Sequence, residues 1–160
     1  MRKTLRSAAV LVVLVFAPAS AALADPPARE PLPASTVTLD AAVCGFPVEV
    51  AVAANNEFVT TFSSGKVLVT GRFVADITGN GTTITVNASG PVVIKGSSVT
   101  FRGGALLFAN PGDLGPGTPG SFILAHGPVT VVYDENGGIV SVDATPARTV
   151  DLCAVLAAGG

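Results

Sequence analysis

His126 is the only histidine in the 160 residues, so any histidine-based triad or metal cluster must include it. It stands before Gly127-Pro128 at the end of an alternating run and shares a face with Phe122 and Leu124. A histidine at the mouth of a β structure can orient a ligand or act as a lone base, whereas one wetted at a turn does neither. No G-x-S-x-G elbow supplies a nucleophile for it. Ser63-Ser64-Gly65-Lys66 matches S-x-x-K, but that chemistry needs a helix to set serine and lysine one turn apart, and these residues spell a hairpin turn. No S-D-N or K-T-G partner occurs elsewhere. Gly115, Gly117 and Gly120 satisfy G-x-G-x-x-G, yet Pro116 and Pro119 stiffen the segment. A strand from Ser121 follows where a phosphate site needs a helix N-terminus. Asp134-Glu135-Asn136-Gly137-Gly138 gathers oxygens that could touch Ca²⁺, but it lacks the loop spacing and the closing bidentate Glu, so it reads as a turn. Tyr133, just before it, is a core or rim aromatic with its hydroxyl toward water. The sequence therefore offers no catalytic residue, no metal site and no cofactor. It leaves His126, Tyr133 and Phe122 as candidate ligand or rim positions.

Cys44 and Cys153 are the only cysteines, one near each end of the chain. An even count in an exported protein argues for one disulfide between them, and the alternative is two separate thiols. Export is read from the first residues. Arg2, Lys3 and Arg6 form a positive region, Ala8 to Phe16 a short apolar one, and Ala22-Leu23-Ala24 a small-x-small cleavage pattern. Cleavage is expected near Ala24/Asp25, giving residues 1–24 as signal peptide and a secreted mature chain. The apolar run is broken by Pro18 and is too short to span a bilayer. Ala41 to Ala54 is interrupted by Pro47 and Glu49, so no membrane span is expected in the mature part.

The signal takes three of nine basic residues with it and leaves all eleven acidic ones. The remaining cations, such as Lys66, Arg72, Lys95, Arg102 and Arg148, are scattered singly. No patch could track phosphates, which excludes nucleic acid as a partner class. Thr, Ser and Asn supply most of the polarity, as on a sheet surface.

Residues 25–35 carry Pro26, Pro27, Pro31 and Pro33 and are expected to form an extended, mobile leader. From Thr36 the dominant period is two. Lys66, Leu68, Thr70 and Arg72 alternate with Val67, Val69, Gly71 and Phe73, and Thr83, Thr85 and Asn87 with Ile84, Val86 and Ala88. Turn clusters such as Gly79-Asn80-Gly81 and Asn136-Gly137-Gly138 separate the runs. Strands are expected near 36–43, 47–54, 57–63, 66–76, 82–88, 91–95, 98–102, 104–109, 120–126, 128–134, 139–143 and 148–155, some of them merging. Short connections make neighbours antiparallel. The expected fold is all-β, with residues 36–156 as one antiparallel meander closing into a small barrel stapled by Cys44–Cys153. A two-sheet sandwich is the alternative. Residues 110–120, rich in Gly and Pro, form a long loop that is either a rim feature or a tolerated insertion.

Cys44-Gly45-Phe46-Pro47-Val48, Gly120-Ser121-Phe122-Ile123-Leu124, Tyr133-Asp134 and Asp151-Leu152-Cys153-Ala154-Val155-Leu156 together resemble a group of small secreted actinobacterial proteins of unassigned function, whose cysteines bracket a β-rich domain. The resemblance implies export, one disulfide and an all-β domain, and it transfers no catalytic residue. The expected function is that of a secreted, non-catalytic β domain holding a small apolar molecule or a surface partner. The alternatives are an envelope-associated structural protein contacting a cell-envelope component, or a small-barrel cyclase or isomerase.

Overall fold

Turns rich in glycine, serine and asparagine cut the β-branched runs into short strands. The computed structural model describes residues 27–145 and 147–160, so the expected signal peptide and its cleavage position lie outside the described residues. Within them the order is β1 (Ala28–Pro31), β2 (Val37–Leu39), α1 (Ala41–Cys44), β3 (Val48–Asn55), β4 (Phe58–Thr61), β5 (Val67–Thr70), β6 (Phe73–Gly79) and β7 (Thr82–Asn87). β8 (Val92–Lys95), β9 (Ser98–Ala109), β10 (Ser121–Tyr133), β11 (Ile139–Asp143), β12 (Arg148–Asp151) and α2 (Leu152–Ala158) follow.

The strands form two antiparallel sheets. The larger runs β1-β4-β5-β8-β9-β10-β11, with β12 also paired to β10, and the smaller runs β2-β3-β6-β7. No closed barrel is found among the described residues, and the two-sheet alternative fits. The division has a local cause. The chain leaves the small sheet between β3 and β4 and returns between β5 and β6, through a corner where Asn56 N donates to Arg72 O (3.0 Å) and Arg72 N donates to Asn56 Oδ1 (2.6 Å). Gly71 makes the corner possible, because at its φ of +141° a Cβ would overlap the Asn56 carbonyl. Strands that change sheet through such bends build sandwich corners. The run expected at 66–76 is accordingly split into β5 and β6.

Two other expectations differ, and the expected merging of neighbouring runs occurs in the two longest strands. Ala28–Pro31, part of the leader expected to be mobile, is the edge strand β1, in register with Phe58 to Thr61; an edge position tolerates Pro31 because its missing donor would face outward. The runs expected at 98–102 and 104–109 merge into β9, and those at 120–126 and 128–134 into β10. The outermost runs both end as helices. Asp40 caps α1 by accepting from Ala42 N (2.8 Å), and Asp151 caps α2 by accepting from Ala154 N (3.0 Å). Cys44 and Cys153, bonded with Cα atoms 5.1 Å apart, thus join helix to helix rather than first strand to last.

The core lies between the sheets. Val48, Ala75 and Ile77 of the small sheet are fully buried against Phe122 and Leu124 of β10 and Leu152 and Leu156 of α2. Each large apolar side chain buried there contributes about 1.5–3 kcal/mol. The opposite face of the large sheet carries two apolar rows across the strands. Val59, Val69, Val92, Phe101 and Val129 make one, and Val67, Ile94, Val99, Val131 and Val142 the other. Directly paired residues share a face, so the rows form a continuous apolar surface.

Candidate functional site

The long β9–β10 hairpin bends at a patch of glycines. Gly103 pairs with Gly127, and Gly104 with His126. A Cβ on Gly103 would stand 2.6 Å from Gly90 Cα, and one on Gly104 would stand 2.8 Å from Asn87 O, so the β7–β8 connection packs onto bare backbone. Gly127 takes a φ of +123° with Ala147 alongside. In a straight strand, eight residues span about 26 Å. Yet Ile123 and Val131, eight positions apart on β10, line the same cleft.

That cleft is small, about 80 Å³, and is walled also by Leu107, Leu114, Tyr133 and Ile139. Two larger grooves adjoin it. One, of about 450 Å³, lies between Phe101, Phe108, Tyr133 and the Asn110–Asp113 side of the loop. The other, of about 500 Å³, runs between Gly112 to Gly115 and the strand Ile139 to Val142. Ile139 borders all three depressions. Their rims expose large apolar side chains: Phe108 at 52%, Leu114 at 48% and Val142 at 42%.

The 110–120 loop is a built lip. Asp113 Oδ2 accepts from Asn110 N (2.7 Å) and Asn110 Nδ2 (3.1 Å), Gly112 N donates to Thr118 O (3.0 Å), and Thr118 Oγ1 donates to Gly115 O (2.8 Å). These bonds fold the glycines back on themselves and present Leu114 to the cleft. The polar side chains on the grooves around Ile139 are Tyr133, Asp113, Asn110, Ser121 and Ser141, beside the backbone of Gly112, Gly115, Gly137 and Gly138. The central cleft is the apolar one of the three, suited to apolar matter, and the polar groups beside it are placed to orient that matter by hydrogen bonds.

The candidate residues fall in three places. Tyr133 is half-buried and lines the central cleft. Phe122, 2% exposed, lies in the core between the sheets. His126 is exposed and stands opposite Arg148 of β12, outside the depressions around Ile139. The other motifs are turns. Asp134 Oδ1 accepts from Asn136 N and Gly138 N, both at 2.8 Å, which closes the β10–β11 turn. Phe62 N donates to Lys66 O across Ser63–Gly65, and the Lys66 ammonium stands 5.4 Å from the Phe62 ring centre. Among the described residues no group of three His, Cys, Asp or Glu could hold a metal ion. No described helix is long and apolar enough to cross a membrane.

Sequence reasoning missed Phe108, Leu114, Ile139 and Val142. Leu114 is the one apolar residue of a Gly/Pro loop, and that isolation was the available signal. Compared with known protein families, curated proteins and solved structures, the chain matches none.

Proposed function

We propose that the chain is a secreted, non-catalytic binding module that holds a small apolar molecule in the cleft centred on Ile139 and walled by Tyr133. The observation that carries this reading is the convergence of exposed Phe108, Leu114 and Val142 on contiguous depressions. Apolar side chains gathered around a concavity favour an apolar occupant, because filling it removes their surface from water. The Cys44–Cys153 bond is compatible with an extracellular location. The signal-like leader and the resemblance to small secreted actinobacterial proteins support the same reading. The grooves offer the Tyr133 phenol, the Ser141 hydroxyl and one carboxylate already bonded to Asn110, and among the described residues no hydrogen bond joins a hydroxyl to a base there, which supports a non-catalytic role.

Tyr133 provides the test, since the chain has one tyrosine and no tryptophan. Titration of the mature protein with short-chain alkanes and alcohols is expected to change the Tyr133 emission saturably, and native mass spectrometry of material from culture medium to show a bound mass. An emission indifferent to every apolar probe, with no co-purified mass, overturns the reading.

A second reading, a protein working through surface contacts at the cell envelope, is favoured by β11. It is a terminal strand of the large sheet and exposes Val140 at 64%. Cell fractionation decides it, because a protein found wholly in the medium is not envelope-bound.

A further inference from the structure

A second groove, chemically unlike the first, opens at the corner where the chain passes between the sheets. It has a volume of about 220 Å³. Val69, Val92 and Phe101, three neighbours in one apolar row of the large sheet, form its floor, and Leu32 and Phe73 flank it. One charged residue stands in this apolar lining: Glu57.

Glu57 is held there from both sides. The β3–β4 crossing consists of Asn56 and Glu57 alone. Its amide donates to Asn55 Oδ1 (3.0 Å) and its carbonyl accepts from Leu32 N (2.9 Å). A Cβ on Gly71 would stand 2.5 Å from Glu57 Cα, so glycine lets the β5–β6 crossing pack against it. Burial pushes the Glu57 carboxyl up from its ordinary pKa, and no opposing charge among the described residues draws it back. Of the nearby cations, the Arg29 guanidinium lies 4.3 Å from the Phe58 ring centre, and Arg72 is exposed, with its backbone amide bonded to Asn56. A carboxylate in an apolar groove without a cation is costly, and a ligand that brings one relieves the cost.

We infer that this groove binds a small amphipathic cation, an alkylammonium whose chain lies along Val69, Val92 and Phe101 and whose nitrogen meets the Glu57 carboxylate. The volume is below the ~300–1,000 Å³ of sites for drug-sized ligands, which suits a short chain. The groove meets one of the grooves around Ile139 at Phe101 and Leu106, which line both, but Leu32, Glu57, Val69 and Val92 lie outside all three depressions there, and the proposal does not depend on that reading.

The test compares n-octylammonium, 1-octanol and n-octanoate below their micellar concentrations on the mature protein, by calorimetry and by amide chemical shifts. Octylammonium is expected to bind at least about tenfold tighter than the other two, with shifts at Leu32, Val69 and Val92. Glu57→Gln, which keeps the shape and removes the charge, is expected to erase that preference and leave octanol unchanged. Equal affinity of the wild-type protein for all three probes overturns the proposal without recourse to a variant, as does full octylammonium affinity in Glu57→Gln. Shifts confined to Tyr133 and Ile139 overturn it while supporting the other cleft, and no binding at either place overturns both.

Discussion

Gly90 and Gly103 pack backbone against backbone: a Cβ on Gly90 would lie 2.5 Å from Gly103 Cα, closer than side chains tolerate. Gly90 belongs to the β7–β8 connection and Gly103 to the bend of β9, so this contact joins the two sheets at the bend that shapes the candidate cleft. Gly103→Ala is expected to force them apart and to cost about 1–3 kcal/mol. Urea denaturation measures it, with Gly65→Ser as a contrast: Gly65 has nothing within 4 Å of its added Cβ and would feel only backbone strain at its φ of +77°. Equal loss at both positions would mean that the close approach is not what Gly103 provides.

The disulfide closes a loop 109 positions long. In the chain-entropy account such a link stabilises by roughly 4–5 kcal/mol. A Cys44→Ser, Cys153→Ser double variant is expected to lose much of that, read as a lower denaturation midpoint. Added reductant is expected to shift the wild type and leave the double variant unmoved.

Glu57 gives stability a definite pH direction. Its pKa is raised in the folded chain, so the folded state takes up the proton more readily than the unfolded one. The stability it contributes is complete below the ordinary glutamate range and is lost as pH rises through the elevated value. Glu57→Gln is therefore expected to melt higher than wild type at pH 8, with the gap narrowing toward pH 4. A gap independent of pH would remove the desolvation account.

In the cleft around Ile139, Leu114→Ser and Phe108→Ser alter exposed side chains, so folding is expected to change by less than about 0.5 kcal/mol. Each is expected to weaken an apolar probe several-fold, followed through Tyr133 fluorescence. Phe122→Ala, by contrast, empties the inter-sheet core and is expected to cost about 3–5 kcal/mol.

The strands were legible because period two writes itself into residues such as Val67, Val69 and Thr70, where one face is apolar and the next polar. The helices were less so. Residues 41–44 form one turn, too short for any period, and α2 is marked only by the capping Asp151 and by Leu152 and Leu156 four apart. The division into two sheets could not be read, because it rests on Gly71 at a corner and on Gly90 meeting Gly103 across 13 positions, and one-dimensional spacing does not show close backbone approach. Tyr133 was singled out as an amphipathic side chain beside a turn. Its partners Leu114 and Ile139 come together only because β10 curls at Gly127. Glu57 carries no mark in the sequence, because only the corner brings Leu32 and Phe73 beside it.

Tying Cys44 to Cys153 makes everything between them a covalent ring. A protease that nicks one surface turn inside it, at Ser64 or Gly137 for instance, severs the backbone yet frees no fragment. The halves stay tethered until a reductant arrives, and such a molecule can outlast its first cut.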